Sequence, residues 1–150
     1  MLETGSLAPE VALEDTDGQT VRLGNGHAVL IYFMRSTSCP VCNRHVHDLV
    51  QRRDEFEDVQ VLIAVPADRQ EAAAWKAKRR VPFPVVVGRR GTPHESIGLT
   101  RKVFGALQQS GSVLIDSQGV IRHAHSATLP TSGYDKKGIT AAIQALRTHA

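Results

Sequence analysis

Seven apolar residues, Ala28 to Met34 (AVLIYFM), are followed after four intervening positions by Cys39-Pro-Val-Cys42. A continuous run of this length, rich in β-branched and aromatic residues, reads as a central strand buried on both faces. Proline is tolerated best at the first helical position, so Pro40 predicts a helix start with Ser38 or Cys39 as N-cap. Val46, Leu49, Val50 and Phe56 then fall near one face, with Arg44, Asp48, Gln51, Arg52 and Glu55 on the other. Both cysteines are thereby placed where a buried strand hands over to a helix. That junction commits the chain to strands alternating with helices.

The remaining pattern agrees. Leu7 to Leu13 alternates and breaks at Asp15-Thr-Asp-Gly18, and Gln19 to Leu23 resumes the alternation, which predicts an N-terminal β-hairpin. Val59 to Val65 reads as a second buried strand and Arg69 to Arg79 as an Ala-rich helix carrying Trp75. Pro84 to Val87 is a third strand. Ser96 to Phe104 is expected as a short helix. Val113 to Ile115 and Val120 to His123 flank Asp116-Ser-Gln-Gly119, a hairpin turn. His123 and His125 are expected on a solvent-facing edge. After the Gly133-Tyr-Asp135 loop, with Asp135 as cap, Asp135 to His149 closes the chain as an amphipathic helix with Ile139, Ala142, Ile143 and Leu146 inward. The expected fold is α/β, a mixed central sheet with helices on both faces.

Length and charge narrow the function classes. The 150 residues suit one domain spanning 1–150. The longest apolar run is far short of the ~20 residues a membrane helix needs, and no basic leader precedes an apolar stretch. No membrane partner and a cytoplasmic location are therefore expected. A net charge of +3 comes with acids interleaved among the arginines, and only 5% of residues are aromatic. Clustered basic groups with stacking aromatics are what nucleic acid asks for, so no nucleic-acid partner is expected. Nor is any glycine-rich phosphate loop visible, and no cofactor is called for.

Two cysteines in 150 residues make no disulfide scaffold. Spaced by one helical turn, they fall within disulfide reach of one another. A helix N-terminus adds partial positive charge and free N–H donors, both of which favour a thiolate. Cys39, at the end of the helix, is expected to be the more exposed and the attacking thiolate, and Cys42, one turn inside, the resolving thiol. Two structural cysteines packed as small hydrophobes are a competing reading, disfavoured by the polar Ser, Pro and Asn around them. Zinc is another, with His45 and His47 nearby, but its ligands would string along one helix. His45 follows Cys42 by a turn and reads as a surface histidine. Trp75 reads as a packing anchor.

Beyond these patterns, the chain resembles the peroxiredoxin branch of thioredoxin-fold proteins, the alkyl hydroperoxide reductase and thiol-specific antioxidant group. SLAPEVALEDTDGQTVRL, IYFMRSTSCP, EAAAWKAKRRVPFPVVVG and GSVLIDSQGVIRHA are similar to that family's opening hairpin, cysteine loop, tryptophan helix with its following strand, and late hairpin, in the same order. The resemblance implies a thioredoxin-like fold. It places Ser36 at the family's peroxide-binding threonine and Tyr32 at its shielding proline. The family's arginine would fall near Ser110, where there is none, and Arg35 is the nearby candidate to replace it. The Cys-x-x-Cys itself resembles thioredoxins.

The implied activity is thiol-dependent peroxidase chemistry. Cys39 attacks a hydroperoxide to give a sulfenic acid, and Cys42 condenses with it to a disulfide. A hydroperoxide substrate and a thioredoxin-like or low-molecular-weight thiol reductant are then the expected partners, with a homodimer compatible with the family. Ser36 and Arg35 join Cys39 and Cys42 as the expected catalytic residues. The alternatives are a thiol–disulfide oxidoreductase acting through the same pair, and a redox switch without catalysis.

Overall fold

The computed structural model describes residues 4–9, 13–23, 26–88, 93–96, 101–102, 107–108, 110–127 and 134–148. The elements in chain order are β1 (Leu13–Asp15), β2 (Thr20–Val21), β3 (Ala28–Phe33), α1 (Pro40–Gln51), β4 (Val59–Ala64), α2 (Arg69–Arg79) and β5 (Val85–Gly88). There follow α3 (Pro93–Ser96), β6 (Arg101–Lys102), β7 (Leu107–Gln108), β8 (Ser110–Ile115), β9 (Ile121–Ala127) and α4 (Lys136–Thr148). A single 3₁₀ turn, Arg53–Phe56, separates α1 from β4 and carries Phe56, which is buried there rather than on α1.

Seven strands form one mixed sheet in the order β2-β1-β5-β4-β3-β8-β9. β4 runs parallel to β3 and β5, whereas β8 is antiparallel to β3. The apolar run thus lies between two partners, and its alternate side chains feed two cores. Leu30, Tyr32 and Met34 join Val46 and Leu49 of α1, Trp75 of α2, and Ile139 and Ile143 of α4. Val29, Ile31 and Phe33 face the other way with Leu62, Val86, Val113 and Ile121. Helices α1, α2 and α4 cover the first face. On the second, the His94 ring of α3 meets Phe33 edge-on at 5.3 Å. Continuous hydrophobicity in β3 is the signature of this two-sided burial.

Local chemistry sets the boundaries. Asp68 caps α2 by accepting from the Glu71 N–H at 2.8 Å, and Arg80 closes it in the left-handed region at φ 52°. Asp116 shapes the late hairpin by accepting from the N–H groups of Gln118 and Val120, each at 2.9 Å, and Gly119 takes the positive φ of 84°. Asp135 caps α4 through the Gly138 N–H at 3.0 Å.

Three expectations change. Arg101–Lys102 is a strand paired with Leu107–Gln108, not part of a helix over Ser96–Phe104; residues 97–100 and 103–104 lie outside the described residues. Gly105 is a turn signal that outweighs the helical spacing there. The first hairpin strand is only Leu13–Asp15, while Leu7 instead bridges Val120; residues 10–12 lie outside the described residues. His123 and His125 are paired opposite Leu114 and Ser112, so they share the inward face of β9 and are half-buried. Period-two alternation holds in β9, but α4 and the Tyr134 segment cover what reads as an open edge.

His94 has a measurable consequence. Its Nε2 lies 2.6 Å from the Met34 carbonyl and must carry the proton, because a carbonyl only accepts. Nδ1 is buried without a partner, and burial pushes the imidazole down to about 4, against the favourable Met34 bond. The unfolded chain therefore binds this proton first as pH falls, so stability held above pH ~6.5 is lost toward the folded value of about 4. Urea unfolding across this range should show stability falling with acid, and less steeply in His94→Gln. An identical slope in the variant would show that His94 is not held neutral.

Candidate active site

The site begins with an unusual helix cap. Cys39 is the N-cap of α1, and its sulfur accepts from the Cys42 backbone N–H at 3.3 Å. Sulfur thus occupies the place usually taken by a serine or aspartate oxygen. Pro40 opens the helix, as its fixed φ and missing N–H allow. The turn before the cap is closed by the Cys39 N–H donating to the Ser36 carbonyl at 3.3 Å.

Both cysteines are free thiols and both are buried, Cys39 at 2% exposure and Cys42 at 0%. The expected contrast in exposure is therefore absent, because both cysteines belong to the buried cluster that includes Tyr32, Met34 and Trp75. The contrast is electrostatic. Burial pushes the Cys39 thiol up, but hydrogen bonds from the Cys42 thiol and backbone N–H, then the Arg35 guanidinium by bond and charge, outweigh it and bring it below the ordinary thiol range. Cys42 is pushed up to about 11, first by burial and then by its bond to Cys39; the Arg35 N–H at 3.4 Å and the Tyr32 hydroxyl only partly oppose this. The pair is thus polarised, Cys39 toward the thiolate and Cys42 toward the protonated thiol.

Arg35 stands where the resemblance asked for a substitute. Its side chain reaches the Cys39 sulfur, and its Nε is buried with no hydrogen-bond partner. Ser36 is close to the loop turn, with its hydroxyl 3.3 Å from that of Ser38. Ser110, at the family's arginine position, is buried with an unpartnered hydroxyl, as is Ser112 beside Tyr32 on the adjacent strand.

Several supporting residues lie outside the set read from the sequence. Asn43 donates through Nδ2 to the carbonyls of Thr37 at 3.0 Å and Cys39 at 2.9 Å, clamping the loop to α1. Its Oδ1 accepts from Trp75 Nε1 at 2.8 Å, so the anchor on α2 also holds the cysteine loop. Tyr32 shares the buried cluster of Cys42 and lies 2.8 Å from His45 Nδ1, which makes His45 a half-buried partner rather than a surface group. A sequence signal existed for two of these. A tyrosine inside a buried strand must satisfy its hydroxyl, and an asparagine four residues past an N-cap points back at it. Among the described residues no cluster of three metal-ligating side chains occurs, and no helix is long and apolar enough to cross a membrane.

Residues 4–124 match the model of the AhpC/TSA family. The chain is 28% identical over 131 residues to the chloroplastic peroxiredoxin Q of Triticum aestivum, covering 81% of this chain and 58% of that protein. It spans under two thirds of the length of that chloroplastic relative. With peroxiredoxin Bcp of Bacillus subtilis it shares 28% over 128 residues, covering 79% of this chain and 81% of the other. In three dimensions it is similar to a peroxiredoxin-like protein from Aquifex aeolicus, with a TM-score of 0.82 at 16% identity over 97% of this chain and 88% of that one.

Replacing Arg35 by Met should raise the Cys39 pKa, read from the ultraviolet absorbance of its thiolate. Loss of a charge-assisted hydrogen bond should lower the rate of Cys39 oxidation by about ten- to a hundredfold. An unchanged titration together with an unchanged rate would show the guanidinium idle.

Proposed function

This chain belongs to the AhpC/TSA family, and from that premise we propose that it is a thiol-dependent peroxidase reducing hydroperoxides through Cys39. The observation that carries the reading is the Cys39 sulfur capping α1 and accepting from the Cys42 N–H at 3.3 Å, which agrees with the displacement of Cys39 downward and of Cys42 up to about 11. A thiolate attacks the terminal peroxide oxygen, the O–O bond breaks, and the alkoxide or hydroxide leaves with a proton from solvent. Cys39 becomes a sulfenic acid. Arg35 supports this step twice. Its charge favours the thiolate, and its unpartnered buried Nε is a donor for a peroxide oxygen. Ser36 is a second hydroxyl within the same loop, suited to orienting the substrate.

Cys42, one turn away, then condenses with the sulfenic acid, releasing water and leaving an intramolecular disulfide. A thioredoxin-like or low-molecular-weight dithiol returns the pair to thiols. A reducing compartment such as the cytoplasm suits that cycle. The 2% exposure of Cys39 favours a small oxidant over a bulky protein disulfide. This is the reason to rank peroxide reduction above general disulfide exchange.

Cys39→Ser should abolish peroxide consumption. Cys42→Ser should consume one equivalent and leave a sulfenic acid that dimedone traps, seen by mass spectrometry. Peroxide loss at the original rate in Cys39→Ser would overturn the assignment.

A further inference from the structure

Cys42 has a problem that the cycle above leaves open. It is fully buried and keeps its proton at neutral pH, yet it must become a nucleophile when Cys39 is oxidised. Three neighbouring groups act on its proton affinity. The Arg35 backbone N–H can only donate. The Cys39 sulfur is the atom to be attacked. The Tyr32 hydroxyl alone can both accept and donate: it belongs to the buried cluster of Cys42 and lies 2.8 Å from Nδ1 of His45, one turn after Cys42 on the same face of α1.

We propose that Tyr32 and His45 form the proton relay that activates Cys42 for the resolving step, Tyr32 passing the proton from the sulfur and His45 receiving it. The inference rests on the thiol chemistry proposed above. Two arrangements of the same three groups describe it. Once Cys39 is oxidised and its sulfur no longer holds the Cys42 proton, the Cys42 S–H donates to the Tyr32 oxygen and the Tyr32 O–H donates to a neutral His45 Nδ1. After transfer, the Tyr32 O–H donates to a Cys42 thiolate and the His45 Nδ1–H donates to Tyr32. Each hydrogen bond reverses its direction, and the heavy atoms keep their places.

The chemistry balances. As the proton moves through Tyr32, a Cys42 sulfur lone pair forms the S–S bond and the Cys39 S–O bond breaks with its electrons on oxygen. The Cys42 sulfur is oxidised and the Cys39 sulfur reduced, both to the disulfide level. Hydroxide leaves and is neutralised by the proton that His45 gives up to solvent, so one water is formed. His45 is half-buried and can exchange that proton with water, which Cys42 cannot.

The surroundings keep each relay member in the needed form. Burial drives the Tyr32 phenol well above its usual range, so it conducts a proton without resting as phenolate. His45 is lowered by burial and by Arg44, with Asp48 opposing, and is therefore a neutral acceptor. The Tyr134 ring packs 5.0 Å from that of His45, but its own hydroxyl donates to Asp48 at 2.6 Å and accepts from Arg52 at 2.9 Å. Lys136 lies 3.6 Å from Asp48 on the far side. Tyr32, Tyr134, Arg44 and Asp48 are thus the groups that face His45, and Tyr32 takes its Nδ1.

The test separates the two thiols without relying on peroxide. Reduced protein is mixed with the aromatic disulfide DTNB: attack by Cys39 releases one coloured thiolate, and attack by Cys42 on the resulting mixed disulfide releases a second. In Tyr32→Phe and His45→Gln the second release should slow about a hundredfold relative to the first near neutral pH. In both variants the second rate should climb about tenfold per pH unit, following the thiolate fraction of Cys42, whereas wild type levels off once His45 is neutral. Added imidazole should restore part of the rate in His45→Gly. An unchanged second release, or the same slowing at every pH, would overturn the relay. Wild-type protein that shows both releases but consumes no hydrogen peroxide would sink the peroxidase reading and leave the relay standing.

Discussion

The bond from the Cys42 backbone N–H to the Cys39 sulfur organises everything around it. One contact ends the loop, starts α1 and partly neutralises a buried thiolate. A helix start leaves N–H groups without partners, and a sulfur placed there serves both needs at once. The remaining asymmetry follows from position. Cys39 receives donors, from the Cys42 thiol, the Cys42 N–H and Arg35. Cys42 sits one turn deeper against Tyr32, with burial as the dominant influence.

Holding that cap in place takes residues from three directions. From within α1, Asn43 grips the carbonyls of Thr37 and Cys39, and Trp75 of α2 fixes the Asn43 amide. From the opposite face of the sheet, His94 binds the Met34 carbonyl, where β3 gives way to the loop. The same strand supplies Tyr32 to the buried cluster that holds Cys42. A reactive loop of few residues is thus suspended between a rigid central strand and a clamped helix, which is how a site keeps its donors aimed before a substrate arrives.

Much of this is legible in the amino-acid order alone. β3 and α2 follow from hydrophobic continuity and helical spacing, and Pro40 narrows the cap to Ser38 or Cys39. Asp116 and Gly119 signal the late hairpin, because their roles are local. Contacts that join distant segments leave no such mark. Helical spacing puts His45 on the surface of α1, since it carries no information on Tyr32 and Tyr134 arriving from elsewhere. His123 and His125 are misplaced by the same reasoning. The exposure of Cys39 is overestimated, since the cluster that buries it draws Met34 and Trp75 from other segments.

The central claim is that two touching thiols hold opposite affinities for a proton. Labelling the reduced protein with iodoacetamide over a range of pH, and locating the label by mass spectrometry, tests it most directly. Cys39 should be labelled first, at a pH below the ordinary thiol range, and Cys42 only as the pH nears about 11. Labelling of both cysteines together, or of Cys42 first, would contradict the account.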